Sequence, residues 1–325
     1  MIDTFVLKGV GSIMEKRKIA VLIPCYNEEL TIAKVVKDFK KVLPDADIYV
    51  YDNNSSDDSV KLAKKAGAIV RYEIRQGKGN VVRSMFRDID ADCYLMVDAD
   101  DTYTAKDAKK MCNLILKDNY DMVVGDRLSS TYFTENKRLF HNFGNKIVRF
   151  LINKLFNANI SDVMSGYRAF SYDFVKSYPV LSKKFEIETE MTIHAIDKNF
   201  KIKMIPTIYK DRVDGSVSKL NTYKDGIMVI NTIRELVKEY RPRLFFSFCS
   251  IIFIIGALIL GIPVFIEYFK TGLVPRFPSL IVSMIFIVIA LLLFITGIIL
   301  EVIAKKYNQL YELYLNSIRR DKDEK

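Results

Sequence analysis

Two long apolar runs near the end of the chain restrict its possible folds more than any other feature. Leu244–Ile266 and Phe277–Leu300 contain no charged residue, and each exceeds the about 20 residues that an α-helix needs to cross the hydrocarbon core of a bilayer. The short segment between them carries Pro275. A buried helical pair in a soluble protein is the alternative, but two such runs side by side favour a transmembrane hairpin over residues 244–303.

The basic residues beside these runs predict their orientation. The segment between the runs carries two basic residues, and the outer flanks carry more: Lys238, Arg241, Arg243, Lys305, Lys306, Arg319 and Arg320. Because positively charged flanks stay on the cytosolic side, we expect a multi-pass protein of the cell membrane with both termini in the cytosol. Residues 222–243 then form a juxtamembrane amphipathic helix and residues 304–325 a cytosolic tail.

The overall charge limits the possible partners. Lysine and arginine exceed aspartate and glutamate by 49 to 39, which gives a net charge of +10. This excess suits a nucleotide, a lipid phosphate or a membrane surface. Nucleic acid is disfavoured, because no long basic block or basic-aromatic ladder is present. The four cysteines lie far apart without a C-x-x-C pair, which indicates reduced thiols and no zinc site.

Residues 18–221 carry the pattern of a cytosolic α/β domain, preceded by an N-terminal extension over residues 1–17 that lacks the apolar core of a signal peptide. Five short apolar runs alternate with helical patterns and end in polar clusters; they cover residues 18–24, 48–51, 68–72, 93–97 and 121–125. This alternation predicts a doubly wound parallel sheet, whose ligands bind beyond the carboxyl ends of the strands. No G-x-G-x-x-G follows the first strand, so a dinucleotide site is disfavoured.

The fourth strand ends abruptly in clustered acids, Asp98-Ala99-Asp100-Asp101. In a turn at a strand end, Asp98 and Asp100 can face a single point. Two carboxylates suit a hard cation such as Mg²⁺ or Mn²⁺ that keeps open positions for phosphate oxygens. A solvated acidic loop is the commoner reading of an isolated D-x-D, so the assignment depends on the other clusters.

Three further polar residues are predicted to lie at the same edge of the sheet. Asp52, at the end of the second strand, can accept a hydrogen bond from a ribose or a uracil. Lys78 stands between two glycines and can meet a phosphate, and Arg127 follows the fifth strand. Each alone is more often part of a solvated turn. Their joint occurrence at one edge indicates a ligand site.

Eight segments together identify a family resemblance. They are PCYNEE at 24–29, DNNSSDDS at 52–59, QGKGN at 76–80, DADDTY at 98–103, GDR at 125–127, SDVMSGYRAF at 161–170, FEIETEM at 185–191 and DRVDGSVSKL at 211–220. In this order they resemble the family-2 glycosyltransferases of the GT-A fold, in the polyprenyl-phosphate (dolichol-phosphate type) branch with two C-terminal membrane helices. The resemblance covers nearly the whole chain beyond residue 17.

The resemblance implies roles for individual residues. Nucleotide-sugar binding falls to Pro24, Tyr26, Glu28, Asp52, Lys78, Asp98, Arg127 and Glu188, and the metal to Asp98 and Asp100. The candidate catalytic residues are Asp162, Asp100 and Arg168. Asp162 is expected to orient the sugar or the acceptor, because a phosphate acceptor is already largely dianionic near pH 7 and needs no general base. The active-site loop comprises Arg212, Ser216, Ser218 and Lys219.

Two basic amphipathic stretches are expected to lie at the membrane surface. Residues 138–156 and 223–240 combine apolar residues at helical spacing with basic residues opposite, although an ordinary domain helix would look similar. Arg138, Arg149 and Arg168 are the candidates for binding the acceptor phosphate, because guanidinium groups match phosphate oxygens.

The expected activity is transfer of a hexose, with inversion, from a UDP-sugar to undecaprenyl or dolichyl phosphate, with Mg²⁺ or Mn²⁺ as cofactor. A processive polysaccharide synthase is one alternative. It is disfavoured because this chain has only two predicted spans and has no tryptophan, which a Q-x-x-R-W motif requires. A non-catalytic membrane partner of a glycan-modifying system is the other, disfavoured by the intact acidic pair. A homo-oligomer is compatible with this reading.

Overall fold

The computed structural model describes residues 17–127, 149–180, 187–210 and 234–324, apart from residues 236 and 239. A seven-stranded sheet with the strand order β3-β2-β1-β4-β6-β5-β7 forms its centre. The strands are β1 (Ile19–Cys25), β2 (Asp47–Asp52), β3 (Ile69–Tyr72), β4 (Cys93–Met96), β5 (Met122–Asp126), β6 (Arg168–Ser171) and β7 (Ile202–Pro206). The α/β fold class expected from the sequence is thereby confirmed.

The sheet is mixed, which the alternating pattern of strands and helices did not predict. The first five strands lie where the apolar runs place them, whereas β6 pairs antiparallel with both β4 and β5. Strand β6 is only four residues long, beginning with Arg168 and ending with Ser171, so it lacks the continuous apolar run of a buried parallel strand. Its reversed direction brings its first residue to the edge where β4 and β5 end.

Helices cover both faces of the sheet. Those of the α/β domain are α1 (Ile32–Val42), α2 (Ser59–Lys65), α3 (Lys78–Asp88), α4 (Ala108–Leu116), α5 (Tyr172–Ser177) and α6 (Ile187–Asp197). In α1 the buried residues Ile32, Val35, Val36 and Phe39 follow helical spacing and pack on one face of the sheet. The opposite face packs against α3, α5 and α6.

Two apolar helices complete the chain, α7 (Pro242–Thr271) and α8 (Phe277–Asp323). Only 22% and 17% of their most apolar stretches are buried, unlike core helices of soluble proteins. Small residues let the two helices approach closely: a side chain at Gly256 would meet the Phe286 ring at 2.9 Å. The Ser250 hydroxyl donates to the Ala290 carbonyl at 2.8 Å. Both features are typical of helix pairs in membranes.

Helix α8 continues far beyond its apolar run, through most of the segment expected to form a cytosolic tail over residues 304–325. Its far end packs on the α/β domain through Tyr311, Leu315 and Ile318, which are buried and spaced by four and three residues. The guanidinium of Arg319 donates to the Asp173 carboxylate at 2.7 Å. The helical spacing of these buried residues is therefore visible in the sequence, but the surface on which they pack exists only in the folded domain.

A chain of hydrogen bonds joins α8 to α5 and α6. The Ser177 hydroxyl donates to the carbonyl of Asp173, so its oxygen accepts from the Tyr311 hydroxyl at 2.7 Å. The Tyr311 oxygen must then accept from Nε2 of His194, 3.1 Å away. These directions place a proton on Nε2 of His194. Aromatic rings of Phe174 and Tyr178 enclose it.

We expect the protein to lose stability as the pH falls below about 6.5. Burial and, secondarily, the charge of Lys198 lower the pKa of His194 from 6.5 to about 3. Between these values the unfolded chain binds the proton and the folded one does not, so the free energy of unfolding decreases by up to about 1.4 kcal/mol per pH unit as pH falls. The contribution is fully present above pH 6.5.

Thermal unfolding in detergent near pH 7 and near pH 5 measures this loss. The matched variant is His194→Gln, whose amide can still donate to Tyr311 but does not titrate. A pH dependence as steep in His194→Gln as in the wild type would contradict the assignment.

Candidate active site

The acidic turn after β4 is held by two side chains at the start of α1 and by a hydroxyl of its own. The buried Thr31 hydroxyl donates to the Ala99 carbonyl at 2.7 Å, and the Lys34 ammonium donates to the Asp101 carboxylate at 2.6 Å. Asp100 is 5% exposed and accepts from the Thr102 hydroxyl at 2.7 Å. Asp101 has φ = 57°, in the left-handed region that aspartate tolerates better than most residues. The turn is thus built to present Asp98 and Asp100.

Lys78 connects this turn to helix α6. Its Nζ lies 2.5 Å from Oδ1 of Asp98 and 2.5 Å from Oε1 of Glu188. The Lys78 and Glu188 side chains are only 10% and 7% exposed. Burial alone would lower the pKa of Lys78, but the two carboxylates raise it above its ordinary value. The ammonium is therefore charged, and three residues distant in the sequence form one ion cluster at the carboxyl edge.

Gly166 forms the wall behind Asp98. A Cβ atom at residue 166 would lie 2.2 Å from Oδ2 of Asp98, so any side chain there would displace the carboxylate. The Gly166 amide donates to the Tyr103 hydroxyl at 3.1 Å, and the Tyr103 ring packs against Tyr167 and Tyr209. The glycine of the S-G-Y-R segment is required because the strand β6 begins against the acidic turn.

Arg127 and Asp162 form a second, bidentate ion pair at the same edge. Nε and Nη2 of Arg127 donate to the two Asp162 oxygens at 2.8 and 3.1 Å, and the Arg127 amide donates at 3.2 Å. Asp162 is fully buried. Burial by itself would raise the pKa of its carboxyl, but the charge and hydrogen bonds of Arg127 lower it below its ordinary value. A carboxylate held in this way is a weak proton acceptor.

The loops after β2 and β3 form the other end of the edge. The Asn53 side chain donates to the carbonyls of Glu73 and Arg75 and accepts from the Gly77 amide at 2.7 Å. Gly77 has φ = 127°, which glycine alone adopts without strain. Asp52 is 4% exposed; its Oδ2 accepts from the Ser55 amide, whereas its Oδ1 has no hydrogen-bond partner among the described residues. Buried acceptors are normally satisfied, so Oδ1 is available to a ligand donor.

The loop after β1 is tied to the loop after β2. The amides of Asn27 and Glu28 donate to the hydroxyls of Ser55 and Ser59 at 2.9 and 2.8 Å. Pro24 lies in β1 in register with Tyr51, and Tyr26 follows the strand. The residues expected to bind the nucleotide therefore lie on neighbouring loops.

Arg168 does not lie where the sequence placed it, and its expected roles in catalysis and acceptor binding are corrected. Its side chain is fully buried, and its guanidinium donates to the carbonyls of Ser165 and Val163 at 2.7 Å each and to the Thr192 hydroxyl at 2.9 Å. These hydrogen bonds hold the backbone of the segment that follows Asp162. A guanidinium that is fully buried and bonded in this way is not exposed to a lipid phosphate.

Of the other residues expected to bind the acceptor or to close the site, only Arg149 lies among the described residues. Arg149 lies in a helical segment that includes residues 149–156, and its Nη1 lies 3.4 Å from the Ser161 carbonyl, beside Asp162. The residues expected to bind the acceptor or close the site that fall outside the described residues are Arg138, Arg212, Ser216, Ser218 and Lys219.

The acidic turn fits a divalent cation. Among the described residues no group of three or more histidine, cysteine, aspartate or glutamate side chains forms a complete metal site. Asp98 and Asp100 provide two oxygen ligands of the type that Mg²⁺ and Mn²⁺ prefer, and phosphate oxygens can complete the coordination. This incomplete donor set suits a metal that binds together with a diphosphate.

Several residues of the site escaped sequence reasoning. Thr31 and Lys34 lie within a helical pattern that indicated only packing, and Tyr209 stands outside any motif. Gly166 was part of a quoted segment, but its close approach to Asp98 has no sequence signal. The pairing of Lys78 with Glu188 spans 110 positions, which no local pattern reports.

Comparisons with known proteins show which family this chain resembles. Residues 20–178 match the family model described as Glycosyl transferase family 2. Glycosyltransferase AglJ of Haloferax volcanii is 34% identical over 77% of this chain and 81% of its own length. A dolichyl-phosphate hexose transferase of the same organism is 27% identical over 70% of this chain and 96% of its own length.

A solved structure shows the same fold. Glucosyl-3-phosphoglycerate synthase from Mycobacterium tuberculosis, in complex with uridine diphosphate, superimposes with a TM-score of 0.55 at 18% identity. The match covers 68% of this chain and 79% of that one.

Proposed function

Because this chain belongs to glycosyltransferase family 2, we propose that it transfers a hexose from a UDP-sugar to a polyprenyl phosphate, with inversion, and releases UDP. The observation that carries this proposal is the ion cluster of Lys78, Asp98 and Glu188 at the carboxyl edge of the sheet. The same chain ends in two apolar helices that are long enough to cross a membrane. Together the two features support a lipid-linked acceptor and a nucleotide-sugar donor.

The donor nucleotide is proposed to bind over the loops that follow β1, β2 and β3. The unpartnered Oδ1 of Asp52 would accept from the ribose or the uracil, next to Tyr26 and Glu28. Lys78 would exchange a carboxylate partner for the diphosphate, since its ammonium is charged and lies at the N-terminus of α3, where backbone amides also favour anions. UDP is favoured over other nucleotides through the likeness to relatives that use it, such as UDP-N-acetylglucosamine–dolichyl-phosphate N-acetylglucosaminyltransferase of Methanococcus voltae.

The divalent cation would be held by Asp98 and Asp100. When bound, Mg²⁺ or Mn²⁺ supplies positive charge that stabilises the departing diphosphate. Gly166 leaves the space that the Asp98 carboxylate occupies, and Thr102 orients the Asp100 carboxylate through its hydroxyl. Glu188, released from Lys78, is proposed to accept from hydroxyls of the sugar.

The acceptor phosphate is proposed to approach at the Arg127–Asp162 end of the site. Its oxygen is already anionic near pH 7 and attacks the anomeric carbon without a general base. The lowered pKa of the Asp162 carboxyl agrees with an orienting role. Arg149, beside Ser161, is the described candidate for pairing with the acceptor phosphate. We further propose that this edge faces the cytosolic leaflet, with both chain termini in the cytosol.

We expect the enzyme to glycosylate polyprenyl phosphate and not the corresponding polyprenol. The free alcohol has a pKa far above 7 and would need an efficient base, which the ion-paired Asp162 does not provide. Membranes containing the protein are incubated with a panel of radiolabelled UDP-sugars and either acceptor, with Mn²⁺ or Mg²⁺ present. Lipid-linked product is then separated by solvent extraction.

The Asp100→Ala protein is the matched control, because it retains the membrane helices. Efficient transfer to polyprenol would return Asp162 to the role of general base. Absence of transfer to polyprenyl phosphate from every UDP-sugar would contradict the proposed reaction.

A further inference from the structure

The end of α8 crosses beneath the sheet on the side opposite the site. Its contacts run in order along the helix and along the sheet. Lys198, just before β7, bonds to Asn308 and lies 5.0 Å from the centre of the Tyr311 ring. Farther along, Lys322 pairs at 3.1 Å with Asp92, just before β4. The helix thus passes from the β7 side to the β4 side of the amino edge.

The order of these contacts determines which side of the domain is nearer the apolar helices. From Glu301 to Lys322 the helix rises about 30 Å at the usual rise per residue. The β7 side is contacted first after the apolar run, and the β4 side last. Because β5 pairs with β7, the Arg127–Asp162 end of the site lies on the side nearer the apolar helices. The nucleotide loops after β2 and β3 lie toward the far side.

A second connection joins the domain to the start of α7. The guanidinium of Arg241 lies 5.5 Å from the centre of the Phe156 ring, and the rings of Phe156 and Tyr240 are 5.8 Å apart. Residues around Phe156 share a small apolar cluster with Val163, next to Asp162. One such connection would leave the domain free to swivel, whereas two separated ones define its tilt.

We propose that the end of α8 is a rigid strut that holds the Arg127–Asp162 end of the site at the membrane surface, and that Tyr311 and Arg319 are its positioning residues. The strut rests on the proposed function, since it matters only for an acceptor that lies in the membrane. Tyr311 anchors it between α5 and α6 through Ser177 and His194, and Arg319 anchors it to Asp173. None of these groups belongs to the proposed substrate site.

The test interrupts the strut without removing its contacts. Four flexible residues, Gly-Ser-Gly-Ser, are inserted between the exposed Lys305 and Lys306. The matched control carries the same insertion between Gly272 and Leu273, in the loop that joins α7 and α8. Each protein is assayed with long-chain polyprenyl phosphate in phospholipid vesicles, with a short water-soluble prenyl phosphate, and for UDP binding.

The strut insertion should lower transfer to the vesicle acceptor about tenfold or more, because an α/β domain that tilts freely spends less time in the productive orientation. Transfer to the soluble acceptor and UDP binding should be unchanged, and the loop insertion should behave like the wild type. Tyr311→Phe combined with Arg319→Ala, which weakens the anchor without an insertion, should repeat the split between the two acceptors.

Three results would overturn the strut. Full vesicle activity of both strut variants would show that tilt does not matter. Joint loss of UDP binding and of both activities would make the helix end a folding element only. A wild-type protein that glycosylates neither acceptor would reject the proposed function, and the strut with it.

Discussion

Replacing Asp100 with alanine should abolish sugar transfer while leaving the protein folded. Asp100 is 5% exposed and is oriented by the Thr102 hydroxyl at the strand end. Without it, one of the two proposed metal ligands is lost and the charge of the diphosphate stays uncompensated. Removing an electrostatic element of this kind lowers turnover by about 10²-fold or more. Transfer is measured with saturating Mn²⁺, and nucleotide binding is measured with and without metal.

Asp101→Asn is the matched control for this variant. It removes a carboxylate from the next residue, and asparagine tolerates the left-handed backbone there. Lys34 keeps its contact with Asp38, so activity should fall little. Near wild-type activity of Asp100→Ala, or an equal loss in both variants, would show that Asp100 is not a metal ligand.

Replacing Lys78 with methionine should lower both activity and stability. The Asp98 and Glu188 carboxylates share the Lys78 ammonium, and without it two like charges remain close together in a partly buried site. Breaking a buried ion pair from one side costs about 3 kcal/mol or more, and transfer should fall about 10²-fold because the diphosphate loses a cation. Unfolding in detergent and transfer assays measure the two effects.

Lys34→Met is the control: its side chain is 52% exposed, and exposed pairs contribute at most about 1 kcal/mol. Equal destabilisation by the two substitutions would contradict a buried cluster at Lys78.

Much of the candidate site was accessible from local patterns. An apolar strand that ends in Asp98 and Asp100 predicts metal ligands. A lysine between two glycines at a helix start predicts a phosphate contact, and both predictions depend on local sequence only. The direction of β6 was not accessible, because four residues with Arg168 at one end do not distinguish parallel from antiparallel pairing. Arg168 accordingly looked like a phosphate ligand, whereas its guanidinium is buried and satisfied by carbonyls.

The sequence by itself determined the positions of five strands, the amphipathic face of α1 and the two apolar helices. These features follow from the periodicity of side chains along one segment, which depends on local backbone geometry and on contact with water or lipid. Only the tertiary structure decided which distant segments meet. Lys78 reaches Glu188 across 110 positions and Tyr311 reaches His194 across 117. Such contacts depend on the packing of whole elements, since each partner alone would be equally satisfied by water.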